Sequence, residues 1–274
     1  MAQIGKVTAV FLATCAIPAL AAGPPADRRN FVSCPIVQDT KTVPCWLADY
    51  KGERYYLGIQ GSFGAAFWPP FLDHQVLVEG TATDKPRICG GIVLDPVKVA
   101  SLPERDDTCN TILPIDARYE IPFEHRGPGP AELEQPARGA APPAPRPVAD
   151  AAAAEETNRP RVFKVLYDFN NRGWSARNSP PIRQAIDYYR AMDAAEIEVV
   201  GYRGGALLSD GTSFIENEGV GEMRAKQVEL ILRQVGVPAN KLKIRWETEA
   251  TDLNGIDDWN TRSADITVRP QGSS

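Results

Sequence analysis

The tightest constraint on the fold lies between Arg161 and Pro270, where the residues read strand, helix, strand, helix, strand, strand. Val162 to Phe169 is an apolar, β-rich run that ends in Asn170-Asn171, a turn signal. Ser179 is placed to cap a helix with Pro180 in its first turn. Behind it Ile182, Ala185, Ile186 and Tyr189 fall at i, i+3, i+4 and i+7, which is one apolar stripe. Ile197 and Val199 give a second strand ending in Gly201-Tyr202, and residues 203–213 read as a long irregular loop. Asn217 is placed to cap the second helix, and Glu218 and Glu222 suit the positive end of its dipole. Val220, Val228, Ile231 and Val235 are its expected buried residues, and Gly236 and Pro238 stop it. Leu242, Ile244 and Trp246 alternate in a third strand, and Ala264, Ile266 and Val268 in a fourth. Two helices against one face of a small mixed sheet form a stable two-layer α+β unit.

The chain of 274 residues has room for a second domain, and its N-terminal part supplies one. Residues 1–22 read as a signal peptide. Lys6 is the positive start, Val7 to Ile17 the apolar stretch, and Ala19-Leu20-Ala21 a small-x-small cleavage site. That stretch is shorter than the roughly 20 residues needed to span a bilayer. Leu12-Ala13-Thr14-Cys15 is a rival reading, a lipoprotein box with lipidation at Cys15, in which Thr is a poor fit before the cysteine. Removal of the leader leaves Cys34, Cys45, Cys89 and Cys109, an even set in an exported chain and therefore two disulfides. Three pairings are possible; Cys34–Cys45 and Cys89–Cys109 are expected because each closes a local loop. No C-x-x-C spacing is present, and His74 and His125 are not paired at ligand spacing, so neither a metal nor another cofactor is expected.

Residues 31–125 read as a disulfide-bonded all-β domain, a small barrel or sandwich of which an OB-like barrel is one form. Trp46 to Tyr50, Lys51-Gly52-Glu53 and Arg54 to Ile59 are strand, tight turn and strand. Gln75 to Gly80 and Ile88 to Leu94 are two more β-rich runs around the turn at Asp84-Lys85-Pro86. Gly90-Gly91 reads as a bulge or tight bend rather than a ligand approach, and the aromatic cluster Phe67-Trp68-Pro69-Pro70-Phe71 as packing rather than a binding platform. Residues 126–160 are a linker. They hold eight prolines and the run Ala151 to Ala154, a composition that favours extended, spacer-like chain and would let one domain sit away from the other. The formal charge of −5, with no long basic block, argues against a nucleic-acid partner.

Several landmarks of residues 161–270 occur in a familiar order. Tyr167-Asp168-Phe169-Asn170 resembles an opening F-D-F-N strand, and Val199-Val200-Gly201-Tyr202 a V-x-G-Y strand. Asn217 through Arg224-Ala225 resembles an N-x-x-L-S-x-x-R-A helix start. Gly236-Val237-Pro238 is similar to the turn that follows it, and Asn260 to Ile266 to a closing N-R-R-V-E-I segment. On these motifs the unit resembles the OmpA-like C-terminal domain family, which grips peptidoglycan. The resemblance implies a pocket at the mouth of the second helix for the zwitterionic diaminopimelate of the stem peptide. There Arg224 would pair with carboxylate through its planar fork, Asn217 stands seven residues before it as in the family, and Arg262 matches an arginine of the closing segment. The family's aspartate after the second strand does not transfer, because Arg203-Gly204 stands there, and Gly221 replaces the usual serine. Asp210 in the lengthened loop is the candidate substitute for the acid; Asp210-Gly211 as a plain turn is the competing reading.

The resemblance implies an exported periplasmic protein that binds peptidoglycan non-covalently and tethers the β domain. Association with the outer membrane, and other envelope proteins as partners of the β domain, are left open. The alternative is an envelope interaction or structural module that keeps the fold but has lost diaminopimelate binding. An enzyme is not expected, since no G-x-S-x-G elbow, H-E-x-x-H or P-loop occurs.

Overall fold

Buried residues alternate with more exposed ones along strands such as Ser263–Arg269, while others such as His74–Ala82 are buried on both faces, and the strands sort into two main sheets. A computed structural model of the chain describes residues 27–59, 70–121, 159–173, 178–192, 196–250 and 252–271. The leader with Cys15, the segment containing Phe67, Trp68 and Pro69, and all but the last two residues of the 126–160 linker lie outside the described residues.

The first sheet has strands β1 (Arg28–Ser33), β2 (Pro35–Thr40), β3 (Cys45–Tyr50), β4 (Glu53–Ile59), β5 (His74–Ala82), β6 (Ile92–Arg105) and β7 (Thr111–Asp116). Their order is β1-β5-β6-β4-β3-β2-β7. Only Cys34 separates β1 from β2, yet β1 stands at one end of this order and β2 next to the other, so the sheet curls round and closes into a barrel. The closing contact between β4 and β6 is parallel, as is β2 with β7, and the other pairs are antiparallel. Phe31, Trp46, Ala48, Tyr55, Leu57, Val76, Val78 and Leu94 fill the inside. Phe31 stacks on Tyr50 with ring centroids 4.6 Å apart. The Gly90-Gly91 bend is a close crossing: a Cβ on Gly91 would lie 2.6 Å from the Tyr56 nitrogen.

The disulfides are Cys34–Cys109 and Cys45–Cys89, not the local pairs Cys34–Cys45 and Cys89–Cys109. Register is the reason. Cys45 lies opposite Gln38 on the antiparallel β2–β3 pair. Cys34 is four residues further along, about 13 Å at the usual strand rise. A disulfide needs Cα atoms roughly 4.4–6.8 Å apart, and the observed pairs have 4.8 and 6.5 Å. Closing loops this long restricts the unfolded chain by about 4 kcal/mol each in the chain-entropy limit, about 1 kcal/mol more than the local loops would.

The second main sheet contains β8 (Arg161–Leu166), β9 (Glu196–Gly201), β12 (Leu242–Trp246) and β13 (Ser263–Arg269) in the order β12-β9-β13-β8. Helices α1 (Ser179–Ala191) and α2 (Val220–Gln234) share one face of it. The core between the layers includes Val165, Ile182, Ala185, Ile186, Val199, Ala225, Val228, Leu232, Ala264, Ile266 and Val268. The opposite face carries a lattice of charges, with Arg245 and Arg269 on Glu198 at 2.8 and 2.9 Å and Lys243 on Glu196 at 2.6 Å. This is the mixed two-layer α+β unit expected from the pattern, with four differences. Asn178, not Ser179, is the N-cap of α1. The N-cap of α2 is Gly219 in the left-handed region (φ 78°), so Asn217 does not cap it. Val235 is 38% exposed, and Leu232 takes its expected place in the core. Finally, the loop at 203–213 is ordered into a hairpin of β10 (Gly205–Leu207) and β11 (Ser213–Ile215).

The two units are packed together, which differs from the separation expected of a spacer. β5 shows why. Val76 and Val78 face the barrel interior, while Leu77 and Glu79 point outward and are still buried. Leu77, Ala100 and Leu102 of the barrel join Phe169 and Ala206 of the second unit in one buried cluster. At the rim Lys98 lies 4.3 Å from the Trp259 ring centroid, and Arg28 pairs with Asp257 at 3.3 Å.

Candidate functional site

Arg224 sits on the buried stripe of α2, one turn after Val220 and one turn before Val228, both in the core. Its guanidinium is therefore driven inside, with no exposed surface. A buried cation needs a carboxylate and a full set of acceptors. Glu216, equally buried, supplies the carboxylate: Arg224 Nη2 donates to Oε1 and Nη1 to Oε2, both at 2.6 Å. The remaining N–H groups go to the carbonyls of Asn171 (3.0 Å), Tyr202 (2.9 Å) and Asp168 (3.2 Å), so all five donors are used. The Tyr167 ring lies 4.9 Å from the guanidinium. Burial pushes the Tyr167 hydroxyl up to about 12, against a smaller downward pull from Arg224.

Two backbone donors complete the arrangement. Asn170 N–H donates to Glu216 Oε1 at 2.7 Å and Gly204 N–H to Oε2 at 2.9 Å. The arginine fork and the two amides thus converge on one carboxylate from four directions. This is a carboxylate cradle, and the carboxylate in it belongs to the chain itself.

The other expected site residues are not gathered here. Asn217 is exposed, and its backbone N–H donates to Asn170 Oδ1 at 2.7 Å. Asp210 lies at the exposed tip of the β10–β11 hairpin and accepts Thr212 N–H at 2.9 Å. Its bonds to Thr212 hold its carboxyl below the usual range. It is a turn residue, with Gly211 beside it at φ 89°, and Glu216 rather than Asp210 is the acid facing Arg224. Arg262 is buried against the barrel, where Nη2 pairs with Glu79 and Nη1 donates to Gly205 O at 3.0 Å. Burial raises the Glu79 carboxyl above its ordinary value, with Arg262 opposing the shift.

The positions where this chain differs from the pattern it resembles have local reasons. Arg203, standing where the aspartate was sought, donates from Nε to Glu216 O at 2.7 Å and so braces the backbone of the acid. Gly221, in the position where the resembled pattern has serine, lies where α2 crosses the end of β9. A Cβ on Gly201 would lie 2.0 Å from Gly221 O, and one on Gly221 would lie 3.0 Å from Glu247 O. The burial of Arg224 has a signal in the sequence, since an arginine flanked at i±4 by valines is aimed at the core, but Glu216 has none.

Among the described residues, the group Cys34, Asp106 and Cys109 has metal-like proximity, but its two sulfurs are joined in a disulfide. None of the described helices is long and apolar enough to cross a membrane.

No family model and no curated protein matches the chain. Solved structures similar to part of it include the OmpA-like domain of FopA1 from Francisella tularensis, at 15% identity over 40% of this chain and 73% of that one, with a TM-score of 0.33. A MotB-like protein from Desulfovibrio vulgaris is similar at 14% identity over 41% and 76%, with a TM-score of 0.33. The periplasmic domain of Helicobacter pylori MotB is similar at 20% identity over 42% and 79%, with a TM-score of 0.29.

Proposed function

We propose that the chain is an exported cell-envelope protein whose C-terminal unit is an OmpA-like peptidoglycan-binding module, non-catalytic, held shut in the described state and bound to an OB-like barrel. The cradle around Arg224 carries this reading. A planar fork and two convergent amides are the chemistry that holds a stem-peptide carboxylate. The Asn217–Arg224 spacing, which matches the family's helix start, supports equating the cradle with the family's pocket. The barrel's closed order, with one long strand (β1 and β2) shared between its two halves and a parallel β4–β6 closure, supports the OB-like assignment.

Co-sedimentation of the full chain with diaminopimelate-containing sacculi tests the reading. Modest retention of the wild type is expected, and Arg224→Lys, which keeps the charge and loses the fork, should abolish it. Retention unchanged in Arg224→Lys would remove the cradle from the account. A second reading, an interaction or structural module without glycan binding, is favoured by the occupancy of the cradle by Glu216. It predicts no retention of the wild type and recovery of envelope proteins instead.

A further inference from the structure

The acid that fills the cradle comes directly after a weak element. Among the described residues β10 and β11 pair only with each other, over three residues each, and a two-stranded hairpin is marginal on its own. Its own unit anchors it through Leu207 N–H to Asp258 Oδ2 at 2.7 Å and Glu216 N–H to Gly204 O at 3.1 Å. Thr261 Oγ1 and Arg262 Nη1 add bonds to the Gly205 backbone at 3.3 and 3.0 Å, while the 207–209 end of the hairpin is held by the barrel. Asn30 N–H donates to Ser209 Oγ at 2.8 Å, and Ser209 N–H donates back to Asn30 O at 2.8 Å. Asn30 Nδ2 donates to Leu207 O at 3.0 Å, and Ser209 Oγ to Arg28 O at 3.0 Å. Ala206, Leu208 and Phe214 belong to the apolar cluster built on barrel residues Leu77, Ala100 and Leu102. Phe214 stacks at 4.4 Å on Phe169, the residue before the Asn170 whose amide holds Glu216.

The seam is also where hydrogen bonding is least complete. Asn30 Oδ1, Glu79 Oε1 and Arg262 Nε are buried without a partner among the described residues. Each such group opposes burial, so the seam should open before either core does.

We infer that docking of the barrel is an autoinhibitory clamp. It holds the β10–β11 hairpin down and keeps Glu216 in the cradle, and separation of the two units frees the hairpin and exposes the Arg224 fork with the Asn170 and Gly204 amides to an external carboxylate. The coupling stands on the contacts above; only the identity of the entering carboxylate, that of a wall stem peptide, rests on the proposed wall-binding reading.

Hydrogen–deuterium exchange on the full chain tests the coupling without any ligand. In Asn30→Ala and Ser209→Ala the Gly204 and Asn170 amides should exchange about tenfold faster than in the wild type, the factor that follows from losing hydrogen bonds of ordinary net strength. Amides of α1 and β9 should keep their protection. Wild-type protection of Gly204 and Asn170 in both variants overturns the clamp. Should Asn30→Ala also expose α1, Ser209→Ala, which removes only a hydroxyl, decides the outcome on the same criterion. Sacculus retention is the second arm. Retention that rises in the seam variants and vanishes on adding Arg224→Lys supports both clamp and ligand. Faster cradle exchange with no retention of either the wild type or the seam variants keeps the clamp and overturns the wall-binding reading.

Discussion

Arg224 and Glu216 meet within the C-terminal unit, while Arg262 and Glu79 meet across the seam. Both pairs are enclosed, but their surroundings differ. Glu216 receives four donors, and every N–H of Arg224 has an acceptor. Glu79 Oε1 and Arg262 Nε have none among the described residues. Taking two charges out of water is offset only when the lone pairs and protons left over are also satisfied. The first pair meets that condition. The second does not, and it lies on the boundary between the two units.

The sharpest test of this contrast is Glu216→Gln. It puts an NH2 group among converging donors and leaves Arg224 uncompensated in the core, a loss of about 3–5 kcal/mol expected in urea unfolding of the C-terminal unit. Glu79→Gln should cost less, about 1–3 kcal/mol, because fewer bonds are broken. Equal losses in the two variants would break the comparison. Glu79→Gln should also change the acid side of the stability profile. Since burial raises Glu79 in the folded chain, the folded state holds that proton more tightly than the unfolded state does. Its contribution to stability then declines as pH rises past the ordinary glutamate range, and the glutamine variant should lack that decline.

A third, smaller effect lies at alkaline pH. With Tyr167 pushed up to about 12 from 10.0, the unfolded chain loses the phenolic proton first, so stability falls between those two values. Tyr167→Phe should flatten that stretch in a fluorescence-monitored unfolding series. Asp210→Ala is expected to change neither the melting temperature nor sacculus retention, since the bonds of Asp210 stay within its turn. A loss of retention there would restore Asp210 as a ligand residue.

Much of the C-terminal unit was legible because its strands and helices obey simple periods. Ala264, Ile266 and Val268 alternate and are all buried, and the Ile182-Ala185-Ile186 stripe packs as read. The cradle was harder, because burial of Arg224 follows from its valine neighbours while its partner lies in a loop with no period. The hairpin at 205–215 was missed for the same reason: its strands are too short to alternate. The seam left one trace, the run Val76-Leu77-Val78-Glu79-Gly80, which is apolar on both faces of a strand. Such a run signals a sheet covered on both sides, and the glutamate within it signals a cation in the cover. Which cation it was depended on tertiary contact across residues far apart in the chain.

The cross-links of the barrel have a consequence for how the molecule is made. Cys34–Cys109 encloses Cys45–Cys89, so the pairs are nested. A chain that appears from its N-terminus presents Cys34 and Cys45 together long before Cys109. Oxidation in order of appearance would join Cys34 to Cys45 and strand Cys89 with Cys109. Maturation therefore requires either that oxidation wait for the strands to pair, or that a thiolate later attack and exchange the premature bonds. The yield of correctly paired protein should then depend on a disulfide isomerase more than on the supply of oxidant.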